Sequence, residues 1–136
     1  MLKPRALREG DRIAVVAPAS PFDRSLFDQG IVELRSLGLD PVFDEAVFDR
    51  NHYLAGSVAN RAQAFESAWE DPRIAGLIAA RGGYGSAQLL PLLDRNTVRR
   101  CPKVMLGSSD LTSLLSFLTL HCGVVGFHGP MVTTMA

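Results

Sequence analysis

Five short apolar runs recur along this chain, each leading into a stretch of different pattern, and that alternation narrows the choice of folds more than any other feature. Ile13–Ala17 is apolar at every position, as a strand is when both faces of its sheet are covered. Ser25–Leu37 then has helical periodicity, with Phe27, Ile31 and Leu34 on one face and Gly38 placed to end the helix. Leu39–Phe43 reads as a second strand, which Asp40 and Pro41 assign to a sheet edge. Asp44–Gly56 reads as a loop. Ser57 caps a helix on which Val58, Ala62, Phe65 and Trp69 share a core face, and Asp71-Pro72 stops it. Ile74–Ala80 is the third strand. Ser86–Asp94 is helical with a break or restart at Pro91, and Thr97–Arg100 reads as a polar connection with Arg95, Arg99 and Arg100 in solvent. Val104–Leu106 is the fourth strand, a helix runs from there to His121 and ends at Gly123, and Val124–Phe127 is the fifth.

Strands that alternate with helices imply an α/β domain with a parallel sheet and right-handed crossovers. The expected architecture is a five-stranded flavodoxin-like sheet, similar to that of class I glutamine amidotransferases, in the order 2-1-3-4-5 with helices on both faces. At 136 residues the chain is long enough for one such domain with a proper core. A formal net charge of zero gives no electrostatic reason to expect nucleic acid or an anionic membrane as partner. Thr112, Ser113, Ser116 and Thr119 interrupt the most apolar helix, which makes it a core helix and not a membrane span. The N-terminus lacks the apolar core of a signal peptide. Cys101 and Cys122 stand at no metal or redox spacing, and two free thiols fit a reducing, cytoplasmic setting.

The chemistry concentrates where the fourth strand meets its helix. Gly107-Ser-Ser-Asp110 turns sharply there, and Ser109 projects from the end of the sheet close to the first free N–H groups of the helix. That is the geometry of a nucleophile elbow, in which those N–H groups receive an oxyanion. The G-x-S-x-G pattern is half kept, because Leu111 stands where the second glycine would be. A plainer reading makes Ser108 or Ser109 the helix N-cap and Asp110 a favourable charge at the helix dipole.

Ligand sites in such sheets form beyond the carboxyl ends of the strands. Pro18–Ser20, Arg81–Gly85 and Gly107–Asp110 all fall there. Gly82, Gly83 and Gly85 can cradle an anion, supply one oxyanion N–H beside that of Asp110, or simply permit tight turns. Arg81 suits a substrate carboxylate or a local acid. His128, at the end of the fifth strand, is placed to act as a base for Ser109 or to be structural. His121 at a helix end is explained by the dipole, and His52 and Tyr53 lie in the loop without assignment.

The succession Ala17-Pro-Ala-Ser-Pro21, Arg81-Gly-Gly-Tyr-Gly85, Gly107-Ser-Ser-Asp-Leu-Thr112 and His128-Gly-Pro-Met131 resembles the N-terminal domain of the LD-carboxypeptidases. These are serine peptidases of muropeptide recycling, grouped with microcin-immunity peptidases. Ser108 stands where the family usually has an aromatic residue. The resemblance implies Ser109 as nucleophile, with the N–H groups of Asp110 and Gly83 as oxyanion hole, and Arg81, Gly82, Tyr84 and Ser108 facing substrate. It implies cleavage of the amide that joins a terminal D-residue, typically D-alanine, to a murein tetrapeptide, through an acyl-enzyme and with neither metal nor cofactor. The family's Glu and His come from a C-terminal domain, so residues 1–136 are expected to be the nucleophile-bearing half, inactive alone, with self-association as a homodimer. The competing readings are a non-catalytic module that holds an anion on Gly82–Gly85 and an amidotransferase-like hydrolase with a self-contained site. Serine at the elbow, in place of cysteine, argues against the latter.

Overall fold

A computed structural model describes residues 1–136. Its strands are β1 (Arg12–Val16), β2 (Asp40–Val42), β3 (Ile74–Ala79), β4 (Val104–Gly107) and β5 (Phe127–His128). They form one sheet in the order β2-β1-β3-β4-β5, and every pairing is parallel. The expected topology is therefore the observed one, with β2 at an edge.

Period-two alternation divides each central strand between two cores. Ile13, Val15 and Ala17 of β1 and its exit, with Ile78 and Ala80 from the β3 segment, face α1 (Arg24–Ser36). Ala14, Val16, Leu77, Ala79 and Met105 face the other way, toward α2 (Val58–Glu70), α3 (Arg95–Arg100) and α4 (Thr112–Ser116). The first core is aromatic: Phe27 stacks on Phe22 at 5.2 Å and meets Phe43 and Phe48 edge-on at 4.9 and 5.0 Å. The second is built on Trp69 and Phe65, both fully buried, with the Trp69 indole N–H donating to the Val98 carbonyl at 3.2 Å. Burial of each such side chain stabilises the fold by about 2–3 kcal/mol. Close packing also reaches the C-terminal turn Val132–Thr134. There Gly30 of α1 lies so near that a Cβ would sit 2.7 Å from Val132 Cγ1.

Helix ends follow the local signals. Asp23 and Ser57 accept the N–H groups of Leu26 and Asn60, which caps α1 and α2. Gly38 and Gly123 have positive φ beyond the helices they end.

Four segments differ from expectation. Residues 97–100 are helical, because Asp94 accepts the N–H groups of Asn96 and Thr97 and nucleates α3. Ser86–Leu92 is a 3-10 helix that carries Pro91 inside it, where hydrogen bonds of poorer geometry than in an α-helix lose less with one missing N–H. Within the expected loop 44–56, Glu45–Phe48 forms a 3-10 turn capped by Asp44. The fifth strand is displaced to Phe127–His128. Val124 and Val125 are held instead by Leu118 and Leu2, through Val124 N–H to the Leu118 carbonyl (2.9 Å) and Val125 N–H to the Leu2 carbonyl (3.0 Å). Backbone groups spent there are not available to β4.

Candidate functional site

Ser109 has φ +56, in the left-handed region that a non-glycine residue seldom occupies. Such a conformation costs on the order of 1–3 kcal/mol and persists only where the surroundings impose it. Here it turns the chain from the end of β4 into the short 3-10 turn Ser109–Leu111 and then α4. The side chain is left exposed at the carboxyl end of the sheet. Neither serine caps: Ser108 is extended at φ −156 and its hydroxyl accepts no helix N–H, so the N-cap reading of this pair does not hold.

Glycine makes room for the elbow. A Cβ on Gly82 would lie 3.2 Å from Ser109 Cβ and 3.4 Å from both Ser109 Oγ and Asp110 N. The loop after β3 therefore passes directly against the serine. Gly83 has φ +97, and a side chain there would also drive into Ser20, 2.6 Å from its Cβ. The Gly83 N–H has no hydrogen-bond acceptor within the chain.

Hydrogen bonds fasten the three expected loops together. Ser20 N–H donates to the Gly82 carbonyl at 3.2 Å, and Ser20 Oγ accepts the Tyr84 N–H at 2.9 Å. Asp110 Oδ2 accepts the Ser86 N–H at 2.8 Å, while Ser86 Oγ donates to the Asp110 carbonyl at 2.6 Å. The Asp110 carboxylate thus ties the glycine loop to the elbow as well as lying in the first turn of its helix. Arg81 Nη1 donates to the Pro21 carbonyl at 2.6 Å, so its local partner is a carbonyl and not an acid.

Arg61 lies beneath these loops and is 3% exposed. Its Nη1 donates to the carbonyls of Pro18 (2.8 Å) and Gly85 (3.1 Å), Nε to that of Gly56 (3.1 Å), and Nη2 to Gln88 Oε1 (2.6 Å). Burial pushes its pKa below the ordinary arginine value, and the nearby Asp110 charge acts in the opposite direction. Sequence reasoning missed Arg61, although a signal existed: the residue falls on the apolar stripe of α2, three positions after Val58 and four before Phe65.

His128 stands opposite Gly107 in the β4–β5 register and is exposed. No hydrogen bond joins it, or any carboxylate of the chain, to the Ser109 hydroxyl. His121 ends the π-helical turn Phe117–His121 and His52 lies at a turn with φ +57, and neither imidazole is hydrogen-bonded to the three loops. No group of three or more His, Cys, Asp or Glu side chains is clustered as a metal site. No helix is long and apolar enough to cross a membrane. A hollow of about 630 Å³ lies between β2 and α2 along Val42, Phe43, Ala64 and Ala68, and includes none of the elbow residues.

Residues 13–129 match the model of the LD-carboxypeptidase N-terminal domain. The chain belongs to the LD-carboxypeptidase family. A putative carboxypeptidase of Streptomyces coelicolor is 41% identical over 135 residues, covering 96% of this chain and 44% of the relative. A murein tetrapeptide carboxypeptidase of Pseudomonas aeruginosa is 36% identical over 123 residues, covering 90% and 40%. Among solved structures, an MccF-like protein from Bacillus anthracis superposes with a TM-score of 0.95 at 27% identity, over 99% of this chain and 42% of that one. A muramoyltetrapeptide carboxypeptidase from Oxalobacter formigenes gives 0.81 at 31% identity, over 89% and 40%. The chain thus spans about two fifths of the length of these LD-carboxypeptidase relatives.

Proposed function

We propose that this chain is the nucleophile-bearing part of a serine LD-carboxypeptidase that releases a terminal D-amino acid, D-alanine, from murein tetrapeptide. The observation that carries the reading is the left-handed φ of Ser109 at the exposed end of β4, with Gly82 packed against it. Strain held at an exposed serine beside a glycine loop is the arrangement an acyl-transfer nucleophile requires.

In this mechanism Ser109 Oγ attacks the scissile carbonyl carbon. The carbonyl oxygen becomes an oxyanion, held by the N–H groups of Asp110 and Gly83. Fixed donors at such a position are worth roughly 100- to 1000-fold each in turnover. The C–N bond breaks, the D-amino acid leaves with a proton on its nitrogen, and water hydrolyses the acyl-enzyme to free Ser109. Arg81, Gly82, Tyr84 and Ser108 line the approach, with Arg81 placed to attract the free carboxylate of the departing residue. The Ser109 proton needs a base, and no histidine or carboxylate of the chain is hydrogen-bonded to it. We assign that role to a Glu and a His of a further domain, with cytoplasmic murein peptides as substrates. The names of the Pseudomonas and Oxalobacter relatives support that substrate class.

The test is D-alanine release from a synthetic murein tetrapeptide by the full-length gene product. Ser109→Ala is expected to lower kcat by about 10⁴-fold or more while peptide binding is kept. Undiminished release by the variant would overturn the assignment.

A further inference from the structure

Tyr53 and Tyr84 are the one aromatic pair in the chain with both rings exposed, at 58% and 61%. Their centroids are 5.4 Å apart and their planes cross at 77°. Neither phenol hydroxyl has a hydrogen-bond partner in the chain. Large apolar rings left in water as a contiguous pair mark a surface that something else covers.

Both rings are held by the loops of the site. Tyr84 follows Gly83 directly, and its N–H is fixed by Ser20 Oγ. Tyr53 sits in a tight turn closed by reciprocal bonds, Asn51 N–H to the Leu54 carbonyl (2.8 Å) and Leu54 N–H to that of Asn51 (3.0 Å). The next residues dock this turn onto the same loops. Leu54 fills the space over Gly85, where a Cβ would be 2.5 Å from Leu54 Cδ2, and Ala55 N–H donates to the Ala19 carbonyl at 2.8 Å. A loop more than fifty residues before the elbow therefore sets a second ring edge-to-face against the residue next to the Gly83 N–H.

We propose that Tyr53 is a specificity-determining residue: with Tyr84 it forms an aromatic wall of the substrate groove, taking the aliphatic side chain of a peptide residue that flanks the scissile bond. This deepens the carboxypeptidase reading and rests on it. An edge-to-face pair offers one open ring face for C–H contacts and two hydroxyls for the peptide backbone, a surface suited to an aliphatic, polar-backboned ligand. Tyr53 holds the Tyr84 ring and adds its own face. It touches no reacting atom, so its removal weakens substrate binding and leaves the bond-breaking step intact.

The chain has two tyrosines, so ring-labelled tyrosine gives two sets of NMR signals. Titration with a synthetic murein tetrapeptide ending in D-alanine should move both sets saturably, together with the amides of Gly82, Gly83 and Asp110. In the full-length gene product, Tyr53→Ala should raise KM about fivefold with kcat within about twofold, and Tyr53→Phe should restore KM to within about twofold. Amides that shift while both rings stay unmoved would overturn the wall and leave the carboxypeptidase reading standing. Equal KM values for Tyr53→Ala and the unchanged protein would do the same, and would point to a protein surface as the cover of the rings. No amide shift and no D-alanine release would bring down the carboxypeptidase reading, and the wall with it.

Discussion

Arg61 and Lys103 are the two buried cations, 3% and 4% exposed, and they organise opposite ends of the sheet differently. Arg61 lies at the carboxyl end and reaches three segments at once, through Pro18, Gly56, and Gly85 with Gln88. Lys103 lies where the chain enters β4, and its ammonium donates to the carbonyls of Ala68 (3.3 Å) and Asp71 at the end of α2. Burial lowers the pKa of both. A planar fork of five donors can satisfy loops that converge from several directions, whereas a compact ammonium suits the free carbonyls of one helix end. The same solvation cost thus builds a site at one end and terminates a helix at the other.

That contrast can be broken by substitution. Arg61→Met would leave three buried loop carbonyls without their donor, and is expected to cost about 3–5 kcal/mol in urea unfolding. In the full-length gene product it should also lower kcat at temperatures where the fold persists, because the glycine loop loses its anchor against Ser109. Lys103→Met removes donors from one helix end and should cost about 1–2 kcal/mol, with kcat unchanged. A Lys103 variant that lost activity as severely as an Arg61 variant would erase the distinction.

Titration sharpens it further. The folded state depresses the Lys103 pKa below 10.5, so the unfolded chain binds this proton more tightly. Stability should therefore rise as pH climbs through the window between the folded value and 10.5, and Lys103→Met should flatten that rise. Arg61 offers no comparable window, since a guanidinium keeps its proton throughout the accessible range. Urea midpoints measured from pH 7 to 10.5 would report the slope for each protein.

The sheet was legible because its signals are local and repeated. Ile13–Ala17 and Ile74–Ala80 are apolar on both faces, as strands of a doubly covered parallel sheet are. The displaced β5 was not legible, because the Val125 N–H is taken by the carbonyl of Leu2, more than a hundred residues away in the chain. The three loops of the site could be named from topology, but their fastening could not. Ser20, Ser86 and Asp110 look like ordinary turn and cap residues until their partners are seen. Arg61 carried a signal, a charge on an apolar stripe, that helical periodicity alone treats as noise. Tyr53 carried none, because its meaning depends on where an irregular loop folds back.

Covalent labelling tests directly whether Ser109, strained at the elbow, is the proposed nucleophile. The full-length gene product would be treated with a fluorophosphonate, which phosphonylates an activated serine Oγ with loss of fluoride, and mapped by peptide mass spectrometry. One adduct is expected, on Ser109, and none at that position in Ser109→Ala. An unlabelled protein, or an adduct that persists in Ser109→Ala, would contradict that assignment.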